Sequence, residues 1–379
     1  MMRFSTLVKH PADWMTGKSK DNSIVITSRI RLARNLCDTP YPGWAKKAER
    51  KRALASIFPA VKNLTEMEKG FAQELSELDP LKKQVLVERH LISREQAARG
   101  EGCAAVVNRK QSLSLMVNEE DHLRMQSIRS GLRLQEAYDL LDGVDQKLET
   151  KLNYAYDNDL GYLTACPTNI GTGMRASAML HLPALVLSDQ ITQVLQAVGK
   201  IGLAVRGLFG EGTESLGDLF QISNQSTLGE SEETIINRLE RVIKQVANHE
   251  KNARLKMLQE EPDILTNKIG RAYGLLKHAH MFDSKEAFTH ISILRLGADL
   301  GYFPEGTMQL CDALMMEIQP AHLQLYAGKE LEPGKRDIIR AEIIRDRLQN
   351  TKPPANSLIS KESTSTDTGD ELPIEPPTE

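Results

Sequence analysis

Residues 23–34 read SIVITSRIRLAR, and this stretch gives the first indication of the fold. It opens with a β-branched run and then sets Arg29, Arg31 and Arg34 among apolar residues. β-Branched residues are enriched in strands, where they pack well on a pleated surface. The stretch therefore predicts a strand in which charged side chains stand between apolar ones.

The chain on either side of this strand mixes strand and helix patterns as far as about residue 230. Further strands are predicted for CAAVVNRKQSLSLMVN (103–118, two strands around a turn at 108–111), GYLTAC (161–166), GLAVRGLFGEG (202–212) and DLFQISNQSTL (218–228). Helices are predicted for GLRLQEAYDLLDGVDQKLETKL (131–152), which is amphipathic, and for RASAMLHLPALVL (175–187), which follows the loop PTNIGTG (167–173).

The pattern changes after Gly229, where β-type runs end and apolar residues recur at helical spacing up to about 350. Residues 351–379 hold six acidic and two basic residues, a balance of −4 against −3 for the whole chain, so residues 1–350 carry +1. This proline-rich segment buries too little apolar surface to fold. We therefore predict a domain of mixed strands and helices at 1–235, a helical domain at 236–350 and a disordered acidic tail at 351–379.

Composition excludes several classes of protein. The chain has 379 residues, of which 40% are apolar and 26% charged, enough for two folded domains. A net charge of −3 disfavours direct nucleic-acid binding, and no apolar run reaches the roughly 18 residues of a membrane helix. The first 14 residues lack the apolar core of a secretory signal, which predicts a cytoplasmic protein. Four widely spaced cysteines disfavour a zinc site or a disulfide framework.

Two stretches carry side chains suited to acid–base or thiol chemistry. VNEEDHLR (117–124) places Glu119 and Glu120 after an apolar strand. Two interpretations are open: the segment is a solvated acidic turn, or one of its carboxylates points into a cleft to hold a cation or take a proton. Cys166 precedes a loop rich in turn formers; it is a small buried hydrophobe, or a reactive thiolate supported by Thr168 and Arg175.

Several arginines stand at the edges of apolar or glycine-rich segments instead of on charged helix faces. They are Arg29, Arg31, Arg124, Arg175 and Arg206. Surface salt bridges would explain any one of them, but arginine also binds phosphate oxygens with a planar fork. The chain has no GK[ST] phosphate loop, so arginines could form a triphosphate site. Glu211 stands between two glycines, which suits either an ordinary turn or a mobile loop that delivers a carboxylate.

Four segments together resemble the ATP:guanido phosphotransferase (phosphagen kinase) family, in sequence, order and spacing. They are TSRIRLAR (27–34), VNEEDHLR (117–124), CPTNIGTGMRAS (166–177) and RGLFGEG (206–212). The resemblance implies an α+β fold with an antiparallel sheet flanked by helices, plus a C-terminal all-helical domain. The similarity is greatest to the bacterial protein arginine kinases of this family, because only 26 residues precede the first motif and RDIIRA (336–341) matches their RDxxRA motif.

The resemblance also implies roles for individual residues. The implied catalytic residues are Glu120, Cys166 and Glu211. The implied nucleotide-binding residues are Thr27, Ser28, Arg29, Ile30, Arg31, His90, Arg124, Arg175, Ala176, Ser177, Ala178, Met179, Arg206, Gly207, Leu208, Phe209, Gly210 and Glu211. The implied regulatory phosphoarginine pocket consists of Arg336, Asp337, Ile338, Ile339, Arg340 and Ala341.

The activity implied by the resemblance is transfer of the γ-phosphoryl group of ATP to arginine side chains of proteins. Mg²⁺ is expected to arrive bound to ATP, without a dedicated protein site. The resemblance further implies a homodimer that marks proteins for Clp-type ATPases and proteases, acts on a heat-shock repressor and responds to a zinc-binding activator. The alternatives are a small-guanidine phosphagen kinase and a non-catalytic adaptor that binds phosphoarginine.

Overall fold

The computed structural model describes residues 1–15, 23–207 and 215–355. Its strands are β1 (Val25–Arg34), β2 (Phe71–Glu74), β3 (Ala104–Val107), β4 (Leu113–Val117), β5 (Leu123–Ser130), β6 (Tyr156–Asp157), β7 (Gly161–Tyr162), β8 (Met174–His181), β9 (Leu203–Gly207) and β10 (Leu219–Asn224). The predicted site residues Leu208, Phe209, Gly210 and Glu211, and the predicted tail from 356 onward, lie outside the described residues.

Helices make up most of the remaining regular structure. They are α1 (Phe4–Lys9), α2 (Lys47–Lys62), α3 (Pro80–Glu88), α4 (Arg94–Ala98), α5 (Leu134–Glu149), α6 (Pro183–Leu187), α7 (Ile191–Lys200), α8 (Glu232–Glu260), α9 (Pro262–His278), α10 (Ser284–Asp299), α11 (Thr307–Glu317), α12 (Pro320–Ala327) and α13 (Pro333–Leu348). Within the described ranges, no helix combines the length and the apolar character that a membrane span requires.

Eight strands form one antiparallel sheet in the order β2-β3-β4-β5-β1-β8-β10-β9. The strand that opens the sequence argument, β1, therefore lies in the middle of the sheet. One face of the sheet is covered by α2, α5 and α8, whose apolar residues join it in the first core. In α5 the buried positions Leu134, Ala137, Leu141, Val144 and Leu148 recur every three or four residues, as predicted for one helix face.

A second core joins α9, α10, α11 and α13. The helix α8 contributes its apolar face to the first core, and its partly buried Met257 and Leu258 also touch the second. The change from one core to the other therefore falls at Glu261–Pro262, C-terminal to the boundary that the sequence predicts at 235. The antiparallel sheet and the helical C-terminal region agree with the predicted fold class.

Two of the predicted elements are wrong. RASAMLHLPALVL (175–187) is not one helix: its first half is β8, between β1 and β10, and only Pro183–Leu187 is helical. GYLTAC (161–166) is not a full strand, because only Gly161 and Tyr162 pair, with β6. In both cases pairing with distant segments decided the structure, and helix or strand propensity alone does not contain that information.

Candidate active site

Five arginines share one face of the central sheet. β1 supplies Arg29 and Arg31, and Arg31 lies directly opposite Arg175 of β8. Side chains two residues apart on a strand, and those directly opposite on a neighbouring strand, point to the same face. The registers of β5 and β9 place Arg124 and Arg206 on this face as well. We call these five side chains the arginine cluster.

Other predicted nucleotide-binding residues in these strands point to the opposite face. Ile30 lies in the first core, directly opposite Ala176. Ser28 is fully buried, and its Oγ donates a hydrogen bond to the carbonyl oxygen of Gly131 at 2.7 Å. Ala178 is the cross-strand partner of Ser28. A ligand on the arginine face would therefore meet these residues through their main chain only.

The arginine cluster carries more positive charge than its surroundings compensate. Burial lowers the pKa of Arg29 to about 10, with Arg124 and Arg175 adding to the effect. Burial and the neighbouring Arg29 hold the pKa of Arg31 well below its usual range. The pKa of Arg175 is lowered by burial and by Arg206. In the described part of the chain, the Nε atoms of Arg31 and Arg175 are buried without a hydrogen-bond partner, so the cluster is suited to a polyanion.

One buried carboxylate orders the end of the cluster next to the β4–β5 turn. Both oxygens of Glu119 accept hydrogen bonds from Arg124 Nη1, at 2.7 and 2.8 Å. Glu119 also accepts from the Ser93 hydroxyl and from the backbone N–H of Glu120. Burial alone would raise the pKa of Glu119, but Arg124 and these hydrogen bonds outweigh burial and lower it. Glu119 is thus a fixed anion that positions Arg124 and the adjacent Glu120.

Glu120 and Cys166 line one small cleft beside the arginine cluster. The cleft has a volume of about 110 Å³ and is also lined by Arg31, Arg124 and Arg175. The Cys166 sulfur lies 3.0 Å from the Thr168 hydroxyl, an arrangement that can support a thiolate. The structure therefore brings together two of the three predicted catalytic side chains with three of the arginines; the third, Glu211, lies outside the described residues.

The acid limb of the pH–activity profile should report on Glu120. Burial, followed by repulsion from Asp121 and Glu119, raises the pKa of Glu120 above its ordinary 4.5. A carboxylate that accepts a proton must be ionised, so kcat should fall as the pH drops through this raised pKa and level off above it. Steady-state rates measured across the acidic range should show a single ionisation above 4.5 that is absent from the Glu120→Gln variant; an unchanged limb in the variant would contradict the assignment.

A buried aspartate ties the two sides of the cleft together. Oδ1 of Asp121 accepts a hydrogen bond from Asn35 Nδ2 at 2.6 Å and another from the backbone N–H of Ala165 at 2.7 Å. Asp121 follows Glu120 directly, and Ala165 directly precedes Cys166. One carboxylate thereby fixes the spacing between the glutamate turn and the cysteine loop.

Removing that link should impair alignment more than nucleotide binding. Asp121→Ala is expected to lower kcat about 10- to 100-fold, because a displacement of about 1 Å in a reacting group has an effect of this size. The dissociation constant for ATP, measured by titration calorimetry, should change much less. Asp139→Ala, at an exposed position on α5, is the control and should leave both quantities unchanged. Equal losses in kcat and ATP affinity would show that Asp121 does not act on alignment.

A narrow aromatic slot lies at the other end of the arginine cluster. Its volume is about 80 Å³, and Trp14, Thr27, His90, Met179 and Gln221 are among its lining residues. The rings of Trp14 and His90 lie 6.0 Å apart. Burial and the neighbouring Arg29 lower the pKa of His90 to about 4, so this ring is neutral at pH 7. Flat, neutral and largely apolar walls of this kind suit a nucleobase.

A larger cavity of about 460 Å³ lies between the arginine cluster and the helical domain. Arg29, Arg31 and Arg124 line it on the sheet side. Phe288 of α10 and Gln319, which precedes α12, line it on the other. The helical domain therefore forms part of the wall around the positive charge.

A carboxylate of the catalytic domain holds α12 in this position. Oε1 of Glu88, at the end of α3, accepts a hydrogen bond from the backbone N–H of Ala321 at 2.7 Å. Its Oε2 accepts from the N–H of His322 at 3.1 Å and lies 2.7 Å from His322 Nδ1. A negative side chain at a helix N-terminus is stabilising, so Glu88 caps α12 across the domain interface.

The RDxxRA segment lies on α13, away from the arginine cluster. Arg340 is almost fully buried; its Nη1 donates to Asp337 and to the carbonyl oxygen of Phe282, and its Nε to the carbonyl oxygen of Ile318. Arg336 is only partly buried. In this structure Arg340 thus joins three segments of the helical domain, and Arg336 is the more accessible of the two arginines.

Several residues at the site are absent from the sequence prediction. Gln221 accepts a hydrogen bond from Arg29 Nη2 at 2.7 Å, and Gln126 lies opposite Arg31. Both are uncharged residues on the arginine face and could have been found from the two-residue period of their strands. Nothing in the sequence relates Trp14 or Gln319 to the site, because folding alone brings these distant segments to it.

Comparison with known proteins agrees with this geometry. Residues 53–253 match the family described as ATP:guanido phosphotransferase, C-terminal catalytic domain. Residues 262–359 match the protein-arginine kinase McsB C-terminal domain. Among curated relatives, the protein-arginine kinase of Pelotomaculum thermopropionicum is 45% identical over 340 residues, covering 89% of this chain and 96% of that protein. The protein-arginine kinase of Moorella thermoacetica is 46% identical over 344 residues, covering 88% and 97%.

Solved structures show the same fold. A crystal structure of lombricine kinase aligns with a TM-score of 0.53 and 26% identity, covering 61% of this chain and 67% of that chain. The duplicated taurocyamine kinase of Schistosoma mansoni, bound to transition-state-analogue components, aligns with a TM-score of 0.56 and 24% identity. It covers 70% of this chain and 39% of that chain, and supports the fold alone.

An arginine-lined sheet face, with a carboxylate and a thiol in one cleft at its edge, is an arrangement suited to the transfer of a phosphoryl group. The chain belongs to the ATP:guanido phosphotransferase family, and it is a kinase.

Proposed function

We propose that this kinase transfers the γ-phosphoryl group of ATP to arginine side chains of proteins. The observation that carries the proposal is the cleft that Glu120 and Cys166 share with Arg31, Arg124 and Arg175. It offers negative groups to a guanidinium and positive groups to a phosphate within one small volume. The names of the relatives, protein-arginine kinases at 45% and 46% identity, support a protein as the acceptor.

The order of side chains along β1 supports one direction for the nucleotide. Thr27 lines the aromatic slot, Arg29 and Arg31 follow, and Ala33 lines the catalytic cleft. Residues two apart on a strand are separated by about 7 Å, so Arg29 and Arg31 span a length similar to that of a triphosphate. The nucleobase would occupy the slot, and the γ-phosphate would reach the cleft.

The chemistry in the cleft is a direct transfer between ATP and the guanidine. A guanidinium has no free lone pair on its nitrogens at neutral pH, so its attack requires loss of a proton. As a bond forms between an Nη atom and the γ-phosphorus, the bond from that phosphorus to the β-phosphate oxygen breaks and ADP leaves. Glu120 accepts the proton, and the Cys166 sulfur contributes negative charge that orients the guanidinium. The arginine cluster stabilises the charge on the transferring phosphoryl group.

Mg²⁺ would accompany ATP instead of occupying a protein site. Within the described ranges no group of three or more metal-binding side chains comes together. The buried carboxylate beside the cluster, Glu119, already accepts hydrogen bonds from Arg124, Ser93 and Glu120. We expect the phosphates of ATP to be the main ligands of the metal, which would supply charge neutralisation when bound.

The acceptor can be identified by direct competition. The full chain, ATP and Mg²⁺ are incubated with an unfolded arginine-rich protein and free arginine, and phosphosites are mapped by mass spectrometry at neutral pH, because P–N bonds do not survive acid. Phosphorylated arginines in the protein, absent with Glu120→Gln, are expected. Phosphorylation of free arginine alone would favour the small-guanidine alternative. Binding of phosphoarginine without any ATP turnover would favour the adaptor alternative.

We also propose that the RDxxRA segment binds phosphoarginine, with Arg336 as its accessible cation. Because Arg340 is buried among backbone carbonyls, its replacement is expected to unfold the helical domain as well as remove binding. Arg336→Ala isolates recognition: calorimetry with phosphoarginine should show lost binding while the thermal transition stays unchanged. Unchanged binding in this variant would contradict the proposed role of Arg336.

The remaining expectations are proposals of the same kind. From the family resemblance we propose that the protein is a cytoplasmic homodimer. Its proposed partners are Clp-type ATPases and proteases, a heat-shock repressor and a zinc-binding activator. Affinity capture with the active chain and with Glu120→Gln would distinguish partners whose binding requires kinase activity from partners that bind the folded protein regardless of its activity.

A further inference from the structure

An open groove continues the line of the active site beyond the C-terminal end of β1. Ala33 lines the catalytic cleft, and the segment from Leu36 to Tyr41 lines the groove, together with Ala155, Tyr156 and Leu163. The groove has a volume of about 500 Å³. Along the chain direction of β1, the aromatic slot, the arginine cluster, the catalytic cleft and this groove therefore follow one another.

The groove and the catalytic cleft are linked by contacts between the residues around them. Leu163 precedes Cys166 by three residues along the chain. The carbonyl oxygen of Leu163 accepts a hydrogen bond from Asn35 Nδ2 at 3.1 Å, and the same Asn35 group donates to Asp121. The Tyr41 ring packs edge-on against His122, two residues after Glu120, at 6.0 Å between centroids. Groove residues therefore contact Asn35 and His122, which lie next to the groups that fix the two catalytic side chains.

Large apolar side chains are exposed at this groove and beside it. Trp44, in the turn that follows Tyr41, is 89% exposed, and Tyr156 is 56% exposed. Tyr156 packs against Tyr162 at 5.2 Å, and the guanidinium of Arg34 lies 3.5 Å from the centre of the Tyr162 ring. Tyr156 is therefore both supported from behind and open to solvent, which is typical of a surface that binds a partner.

The charge beside the groove suits a basic partner. Asp38 lines the groove, and Asp157 and Asp159, next to Tyr156, are exposed. The acidic groups are therefore on the Tyr156 side, because the Trp44 side carries the exposed Lys46 and Lys47, together with Arg50 and Arg99, which donate hydrogen bonds to the carbonyl oxygens of Ala45 and Pro42. Acidic side chains next to exposed aromatic ones attract a chain that carries arginine and apolar residues.

We propose that this groove binds the polypeptide on one side of the substrate arginine, with an apolar side chain of that segment against Tyr156 and Trp44. The inference rests on the proposed function. In an extended chain, side chains two or three residues from the arginine lie about 7–10 Å from it, and the groove residue Leu163 is three residues from Cys166 along this chain. A free amino acid bound in the cleft does not reach the groove, so the groove discriminates in favour of polypeptides.

The test compares two blocked peptides and one small substrate. Each peptide has a single central arginine; one has leucine and phenylalanine at the second and third positions on both sides, and the other has alanine there. The small substrate is free arginine. Wild type should phosphorylate the apolar peptide with a kcat/KM about tenfold or more above that of the alanine peptide, mostly through KM. Trp44→Ala combined with Tyr156→Ala should abolish this preference and leave the rate on free arginine unchanged.

The matched control is Tyr326→Ala, which removes another exposed aromatic ring, on α12 and away from the groove. It should keep the full preference, and thermal melting should confirm that all variants fold. Loss of the preference in the control, or its retention in the double variant, would overturn the docking proposal. If wild type phosphorylates free arginine but neither peptide, the proposed function fails. Phosphorylation of both peptides at equal rates would refute the proposed role of the groove and leave the proposed function intact.

Discussion

Replacing Glu120 with glutamine is expected to lower kcat by about two to four orders of magnitude, the usual contribution of a positioned general base. Glutamine keeps the size and one oxygen of the side chain but cannot take a proton from the guanidinium. The dissociation constant for ATP should stay within about twofold, because Glu120 lies in the cleft and is not part of the arginine cluster. Single-turnover rates and calorimetric titration with ATP would measure the two quantities separately.

A neighbouring glutamate provides the control for this prediction. Glu95, on α4, is an exposed carboxylate close enough to contribute to the raised pKa of Glu120. Glu95→Gln removes one nearby negative charge without touching the cleft, so it should shift the acid limb slightly downward and leave the plateau of kcat unchanged. A large loss of kcat in Glu95→Gln, or a loss below tenfold in Glu120→Gln, would rule out Glu120 as the proton acceptor.

The charged residues of the site could be predicted from the sequence because they are chemically distinctive. Arginines between apolar residues, as at Arg29 and Arg31, are conspicuous in any strand. Glu120 and Cys166 stand next to turn formers, where loops expose side chains. What brings these residues together is the register between β1, β5 and β8, and a linear sequence does not specify which strands pair.

The strand β8 shows why local propensity failed at a decisive point. Its sequence contains alanine, leucine and methionine, which favour helix in isolation. The alternation of Arg175, Ser177 and Met179 with Ala176 and Ala178 has the two-residue period of a strand, but it is short. Hydrogen bonding to β1 on one side and β10 on the other outweighed the helical preference. The position of Arg175 in the cluster depends entirely on that pairing.

The residues of the helical domain that line the large cavity could not be predicted from the sequence, for a different reason. Glu88 and the N-terminus of α12 are more than 200 residues apart, yet they form one capped interface. Phe288 and Gln319 of the helical domain line the large cavity together with Glu88. Contacts between separate cores depend on how those cores dock, and no local pattern records that docking.

The second large effect should come from Arg31, where function and stability are expected to oppose each other. Arg31 lines both the large cavity and the catalytic cleft. Loss of one group that stabilises transition-state charge usually costs about 100- to 1,000-fold in kcat, so Arg31→Met should be nearly inactive. ATP should stabilise wild type against urea in proportion to its binding and should not stabilise this variant.

Without nucleotide, Arg31→Met is expected to be more stable than wild type at neutral pH. Burial and Arg29 lower the pKa of Arg31, which means that the folded state disfavours its charge. A group whose pKa is lowered on folding costs stability while both states are protonated, and the cost decreases only as the pH rises above the lowered pKa of the folded state towards the ordinary value of 12.5. Methionine removes this charge and keeps the apolar stem, for a gain of about 1–4 kcal/mol. The gain should shrink at alkaline pH.

Arg124→Met is the matched comparison, and its stability should change in the opposite direction. Removal of Arg124 leaves the fully buried Glu119 without its cation, at an expected cost of about 3–5 kcal/mol. The free energies of unfolding of both variants, measured in urea without ATP, would therefore distinguish an arginine whose charge is compensated by a bound ligand from one whose charge stabilises the folded protein. If both variants lost stability to a similar extent, the arginine cluster would be compensated within the protein itself, and the argument for a bound polyanion would lose its physical basis.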